Sequence, residues 1–105
     1  MPKILDRETR LAAWAKAISH PARIRILSIL ARRDTCVCGE IVDELPLAQS
    51  TVSEHLRVLK TVGLITGSVS GPRSCYCIDR DQLRRIRAEI EGLFTDLEGA
   101  SGCSC

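Results

Sequence analysis

Gln49-Ser50-Thr51-Val52-Ser53-Glu54-His55-Leu56-Arg57-Val58-Leu59-Lys60-Thr61-Val62-Gly63 decides the fold. Val52, Leu56, Leu59 and Val62 recur at spacings of four and three, which is one buried face of an α-helix. The helix is expected to start near Ala48–Ser50, after Pro46 has stopped the segment before it. Gly63 stands where a left-handed C-terminal cap favours glycine. The opposite face carries Gln49, Ser50, Thr51, Ser53, His55, Arg57 and Lys60. Short hydrogen-bonding groups come first and cations follow, an order that suits base edges and phosphates in a DNA major groove.

Working outward, Asp34-Thr35 offers a cap for a short third helix over about Val37–Leu45, closed by Pro46. A short helix, a proline-marked turn and an amphipathic helix form a candidate helix-turn-helix. On the other side, Leu64–Val69 and Ser74–Ile78 read as strands joined by the loop Ser70-Gly71-Pro72-Arg73. That hairpin is a wing, with Arg73 at its tip in reach of the DNA backbone or minor groove. Upstream, a first helix spans about Asp6–Ile18, with Leu11, Trp14, Ala15 and Ile18 at helical spacing. Pro21 suits the first turn of a second helix, whose apolar side is read as Ile24, Leu27, Ile29 and Leu30. Asp79–Asp81 caps a last helix over about Gln82–Leu97. Its apolar positions Leu83, Ile86, Ile90, Leu93, Phe94 and Leu97 come close to a coiled-coil seam, which predicts self-association. The expected fold is mainly α with a β-hairpin wing, in the order ααααββα.

With 105 residues the chain makes one domain, read as 1–98, and a tail at 99–105. No apolar run approaches the ~20 residues of a membrane span. The start, Met1-Pro2-Lys3-Ile4-Leu5-Asp6-Arg7, has no signal-peptide core, so a cytoplasmic location without membrane contact is expected. The net charge is only +2, but residues 1–33 hold eight Lys or Arg against two Asp or Glu, a basic excess suited to a polyanionic partner.

The helix and hairpin together resemble the ArsR/SmtB family of metal-sensing repressors. The resemblance rests on Gln49–Ile65 and on Ser19-His20-Pro21-Ala22-Arg23-Ile24-Arg25-Ile26-Leu27, and it covers roughly residues 10–98. It implies a winged helix-turn-helix homodimer that pairs through its first and last helices. It also implies repression of an operon that includes the protein's own gene, by binding double-stranded operator DNA. DNA contact carries over to Gln49, Ser50, Thr51, Ser53 and His55.

Six cysteines form three Cys-x-Cys pairs, Cys36/Cys38, Cys75/Cys77 and Cys103/Cys105. Thiolates are the preferred ligands of soft ions. Cys36-Val37-Cys38 matches the pair found in arsenite and antimonite sensors and in cadmium and lead sensors of the same family. Gly39 replaces the aspartate often found there, and Ile41 stands where the best-known arsenic sensors have a third cysteine. On a helix, Cys36 and Cys38 point about 200° apart, so ion capture would bend the helix start and misplace the one after it. Cys103 and Cys105, on a tail with ~20 Å of reach, are expected to complete the site. Cys75 and Cys77 share one strand face as a second candidate pair, expected to stay far from the first. Tyr76 and Ile78 take the opposite, core-facing side. The last helix has no histidine, which argues against the family's zinc site there, and neither His20 nor His55 is read as a metal ligand.

The inducer is therefore ranked as As(III) or Sb(III) first, Cd(II) or Pb(II) next, with no organic cofactor. An alternative keeps the fold and senses oxidants or persulfides through paired cysteines. Catalysis is not expected, because the chain lacks both Cys-x-x-Cys and a βαβ unit.

Overall fold

Four of the five expected helices follow the sequence closely; the start of the third and the sheet do not. The computed structural model describes residues 4–32, 37–38, 45–70 and 73–99. Its order is α1 (Asp6–Ala17), α2 (Pro21–Ala31), β1 (Val37–Cys38), α3 (Gln49–Thr61), β2 (Ile65–Ser70), β3 (Arg73–Ile78) and α4 (Arg80–Glu98).

At the start of α1 the Leu5 amide donates to Glu8 Oε1 at 2.8 Å. His20 caps α2 by accepting from the Ala22 amide on Nδ1 at 3.0 Å, with Pro21 in the first turn. Asp79 caps α4 by accepting from the Gln82 amide at 3.1 Å. Each device satisfies a donor that the helix itself leaves without a partner. Gly63 closes α3 at φ 83°, the left-handed cap that its position predicts.

The core joins Trp14 of α1 and Ile26, Ile29 and Leu30 of α2 to Val52, Leu56 and Leu59 of α3, Leu64 and Ile65 at the wing, and Ile86 of α4. One reading of α2 is corrected. Ile24, expected inside, is 55% exposed, and the buried stripe is Ile26, Ile29 and Leu30, at the i, i+3, i+4 spacing of a single face. Tyr76 and Ile78 pack against the core, as their strand face predicts. The Tyr76 ring lies over Gly67, its cross-strand partner, where a Cβ would come within 2.4 Å of a ring carbon.

The wing is a three-stranded antiparallel sheet in the order β1-β3-β2. Val37–Cys38, expected to open a third helix, is the short strand β1. Residues 39–44 of that expected helix lie outside the described residues. The physical reason is the open edge of β3: β2 takes one side of it, and the other leaves backbone donors and acceptors that β1 pairs. Cysteine and β-branched valine have little helix propensity to oppose that pairing.

Two further expectations fall with this one. The 200° divergence of Cys36 and Cys38 presupposed a helix through Cys38, which is strand, while Cys36 lies outside the described residues. The wing pair was expected to stay away from the first pair, yet the register sets Cys38 opposite Cys75 and Val37 opposite Tyr76. The hairpin loop is also shorter than expected. Ser70 pairs with Arg73, so Arg73 begins β3, and only residues 71–72 separate the strands.

Candidate nucleic-acid interface and cysteine positions

Val52 and Leu59 are fully buried and Leu56 nearly so, which fixes the rotation of α3 about its axis. Gln49, Ser50, Thr51, Ser53, Arg57 and Lys60 are consequently exposed together. These six positions of the expected DNA-facing set lie where the sequence placed them. Arg73 stands at the hairpin end of β3.

Arg57 is already engaged. Its Nε donates to both Glu54 carboxylate oxygens at 3.0 and 3.2 Å, and Nη2 also reaches Oε1. That hydrogen bonding holds the Glu54 carboxyl below its ordinary value, and the nearby Arg57, His55 and Arg23 charges act in the same direction. To contact a phosphate, Arg57 must share or leave this partner.

His55 is the corrected member of the set. It is 8% exposed and turned inward, not on the outer face. Its Nδ1 accepts from Arg23 Nε at 3.1 Å, and its ring lies 4.5 Å from that of His20, tilted by 45°. Helical geometry explains the miss. His55 follows Val52 by three residues and precedes Leu59 by four, so it belongs to the buried stripe. Burial is the main cause that lowers its pKa from the ordinary 6.5; the charges of His20 and Arg23 add to it, and Glu54 opposes it.

A pH dependence follows. The unfolded chain takes up a proton at His55 more readily than the native state does. Stability is therefore retained above pH 6.5 and falls as the pH drops below it. Urea midpoints at pH 7.5 and 5.5 should differ for the wild type and differ less for His55→Gln, which keeps an acceptor for Arg23. An equal fall in both proteins would place the titration elsewhere.

Arg23 is the residue that sequence reasoning missed. Besides His55, its guanidinium donates from Nη1 to the Lys16 and Ala17 carbonyls at 3.1 and 3.4 Å. One side chain on α2 thus joins the last turn of α1 to α3. It lies within the Ser19–Leu27 motif, but spacing alone gives no sign of this role.

Among the cysteine candidates, Cys75 and Cys77 are half-buried on β3. Cys75 is disulfide-bonded. Cys77 Sγ lies 3.4 Å from Thr66 Oγ1 across the hairpin. Cys36, Cys103 and Cys105 lie outside the described residues. Among the residues whose side chains the structure describes, which do not include Cys38, no three His, Cys, Asp or Glu are gathered as for a metal, and among the described residues no helix is long and apolar enough to cross a membrane.

A buried-stripe helix with an exposed polar face, followed by an antiparallel hairpin, defines a winged helix-turn-helix DNA-binding protein. The sequence pattern of bacterial regulatory proteins of the arsR family matches residues 20–66. An uncharacterised HTH-type transcriptional regulator of Methanocaldococcus jannaschii is 35% identical over 90 residues, 85% of this chain and all of that protein. The HTH-type transcriptional repressor SmtB of Mycobacterium tuberculosis is 38% identical over 84 residues, 80% of this chain and 59% of that one. The homodimeric winged helix-turn-helix domain of a possible ArsR-family regulator from Mycobacterium bovis superposes with a TM-score of 0.63 at 26% identity, covering 97% of this chain and 98% of that one. The chain belongs to the arsR family of bacterial regulatory proteins. It is a DNA-binding transcriptional regulator and not an enzyme.

Proposed function

We propose that this regulator is a homodimeric repressor that leaves its operator when the cysteines around Cys38 capture As(III) or Sb(III). Cd(II) and Pb(II) are the next candidates. The observation that carries the proposal is an exposed polar face on α3 followed by a wing whose own strands bear cysteines. The relative named as a repressor supports the sign of regulation. The homodimeric neighbour supports the assembly. So does an apolar cavity of about 400 Å³ between α1, α2 and α4, lined by Trp14, Ile18, Leu27, Leu83, Ile86 and Ile90.

Gln49, Ser50, Thr51 and Ser53 would read base edges, while Arg57 and Arg73 hold phosphates. Ser53→Ala should weaken specific operator binding by about 1–3 kcal/mol and leave binding to unrelated DNA unchanged. Unaltered operator affinity would remove Ser53 from the interface. Lys60→Ala should weaken both kinds of binding equally and lower their salt dependence.

The test of the whole reading uses an operator duplex selected from a random pool. Arsenite should raise the dissociation constant of the reduced wild-type protein at least tenfold, and Cys38→Ser should abolish that rise. A protein whose operator affinity is indifferent to arsenite, antimonite, cadmium and lead is not an ion sensor. The disulfide at Cys75 favours a second reading, in which oxidation itself is the signal. Release by an oxidant in metal-free buffer, reversed by a thiol reductant, would select that reading.

A further inference from the structure

The register of the sheet brings together two cysteine pairs that are remote in sequence. Cys38 of β1 stands directly opposite Cys75 of β3. Opposed positions of an antiparallel pair hold their Cα atoms about 4.5 or 5.5 Å apart, and disulfide-forming cysteines span the same range. Opposed positions also belong to one face of the sheet, as do Cys75 and Cys77, which are two residues apart on the strand. Three cysteine positions therefore share one face: Cys38 and Cys75 side by side across two strands, and Cys77 one step along. Cys75 is disulfide-bonded, so its sulfur already lies against that of a second cysteine. Cys77 Sγ is close to Thr66 Oγ1, which extends the same face onto β2.

We infer that Cys38, Cys75 and Cys77 form one thiolate site for a soft ion across β1 and β3, so that the wing, not the C-terminal tail, completes the ligand set. This inference rests on the ion-responsive reading above. Soft ions select thiolate ligands, and metal–sulfur bonds of about 2.3 Å hold two bound sulfurs about 3.5–3.8 Å apart. Opposed strand positions reach that separation by rotation about the Cα–Cβ bonds alone. The strands are already in place.

The chemistry starts from the reduced protein. A thiol reductant opens the Cys75 disulfide with two electrons and becomes a disulfide itself. Arsenous acid then exchanges its three hydroxyl groups for three thiolates. Each thiol gives its proton to the hydroxide it displaces, three waters leave, and arsenic stays trivalent. The product ties β1, the strand that leads toward α3, to the wing strand β3.

Phenylarsine oxide tests the geometry without DNA, because it joins two thiols through one arsenic and releases one water. In reduced full-length Cys36→Ser protein digested with trypsin, it should link peptide Asp34–Arg57, through Cys38, to peptide Ser74–Arg80. In parallel, Cys75→Ser/Cys77→Ser should lose at least nine-tenths of the arsenite-induced release from operator. Protein ending at Glu98 should keep it. A link from Cys38 to peptide Ala88–Cys105, or full response in the wing double variant, would overturn the inference and leave the sensor reading intact. A Cys38 link to Ser74–Arg80 in the Cys36→Ser protein, together with a wild-type protein that arsenite fails to release, would uphold the site and refute the sensor reading.

Discussion

Ile90→Asp is expected to leave the protein monomeric at micromolar concentration and to weaken operator binding at least tenfold. Ile90 is half-buried on α4 and lines the apolar cavity with Trp14, Leu27 and Ile86. Leu83, Phe94 and Leu97 on the same helix are 38%, 57% and 65% exposed, and Ile18, which caps the end of α1, is 36% exposed. A surface this apolar on α1 and α4 is suited to burial against a second copy. The one basic group in the lining, Arg87, is already held by Glu91 at 2.8 Å, and desolvating a carboxylate left unpaired costs several kcal/mol. Helix-turn-helix dimers read two half-sites, so a monomer loses half of its contacts. Sedimentation gives the assembly state and circular dichroism checks that the monomer is folded. The ion pairs Arg10–Glu89 at 2.9 Å and Arg7–Asp96 at 3.3 Å should still hold α1 against α4. A folded Ile90→Asp dimer with wild-type operator affinity would move the interface away from α4.

Arg23→Met should cost about 2–3 kcal/mol of stability, the scale of losing charge-assisted bonds and leaving the buried His55 Nδ1 without its donor. Methionine keeps the aliphatic stem, so the loss isolates the guanidinium. Three acceptors are deprived at once: His55 Nδ1 and the Lys16 and Ala17 carbonyls. His55 is then buried without the donor that orients its ring. Operator affinity should fall too, although Arg23 lies on α2, because the pose of α3 depends on this strut. The pKa of His55 should move back toward 6.5, since one of the charges that lowers it is gone. Urea titration measures the first effect and NMR titration of the histidine ring the last. A stability within a few tenths of a kcal/mol of wild type would show that Arg23 is a solvated surface cation.

The sequence determined the helices, because their signals are local. The cap at Asp79, the first-turn proline Pro21, the stop at Gly63 and the Val52-Leu56-Leu59 stripe each act within a turn or two. It determined the hairpin and the face of it that Tyr76 and Ile78 turn to the core, since strand alternation is local as well. It determined the family, through two contiguous motifs. What only the tertiary structure decided depends on partners distant in the chain. His55 looked like a base-reading side chain until packing of α3 on α2 turned it toward Arg23 and His20. Val37 and Cys38 carried too little helix propensity to resist the open edge of β3, some 38 residues further along the chain. That pairing set Cys38 opposite Cys75, and no spacing rule within the sequence relates those two residues, because strand register is fixed by the sheet as a whole.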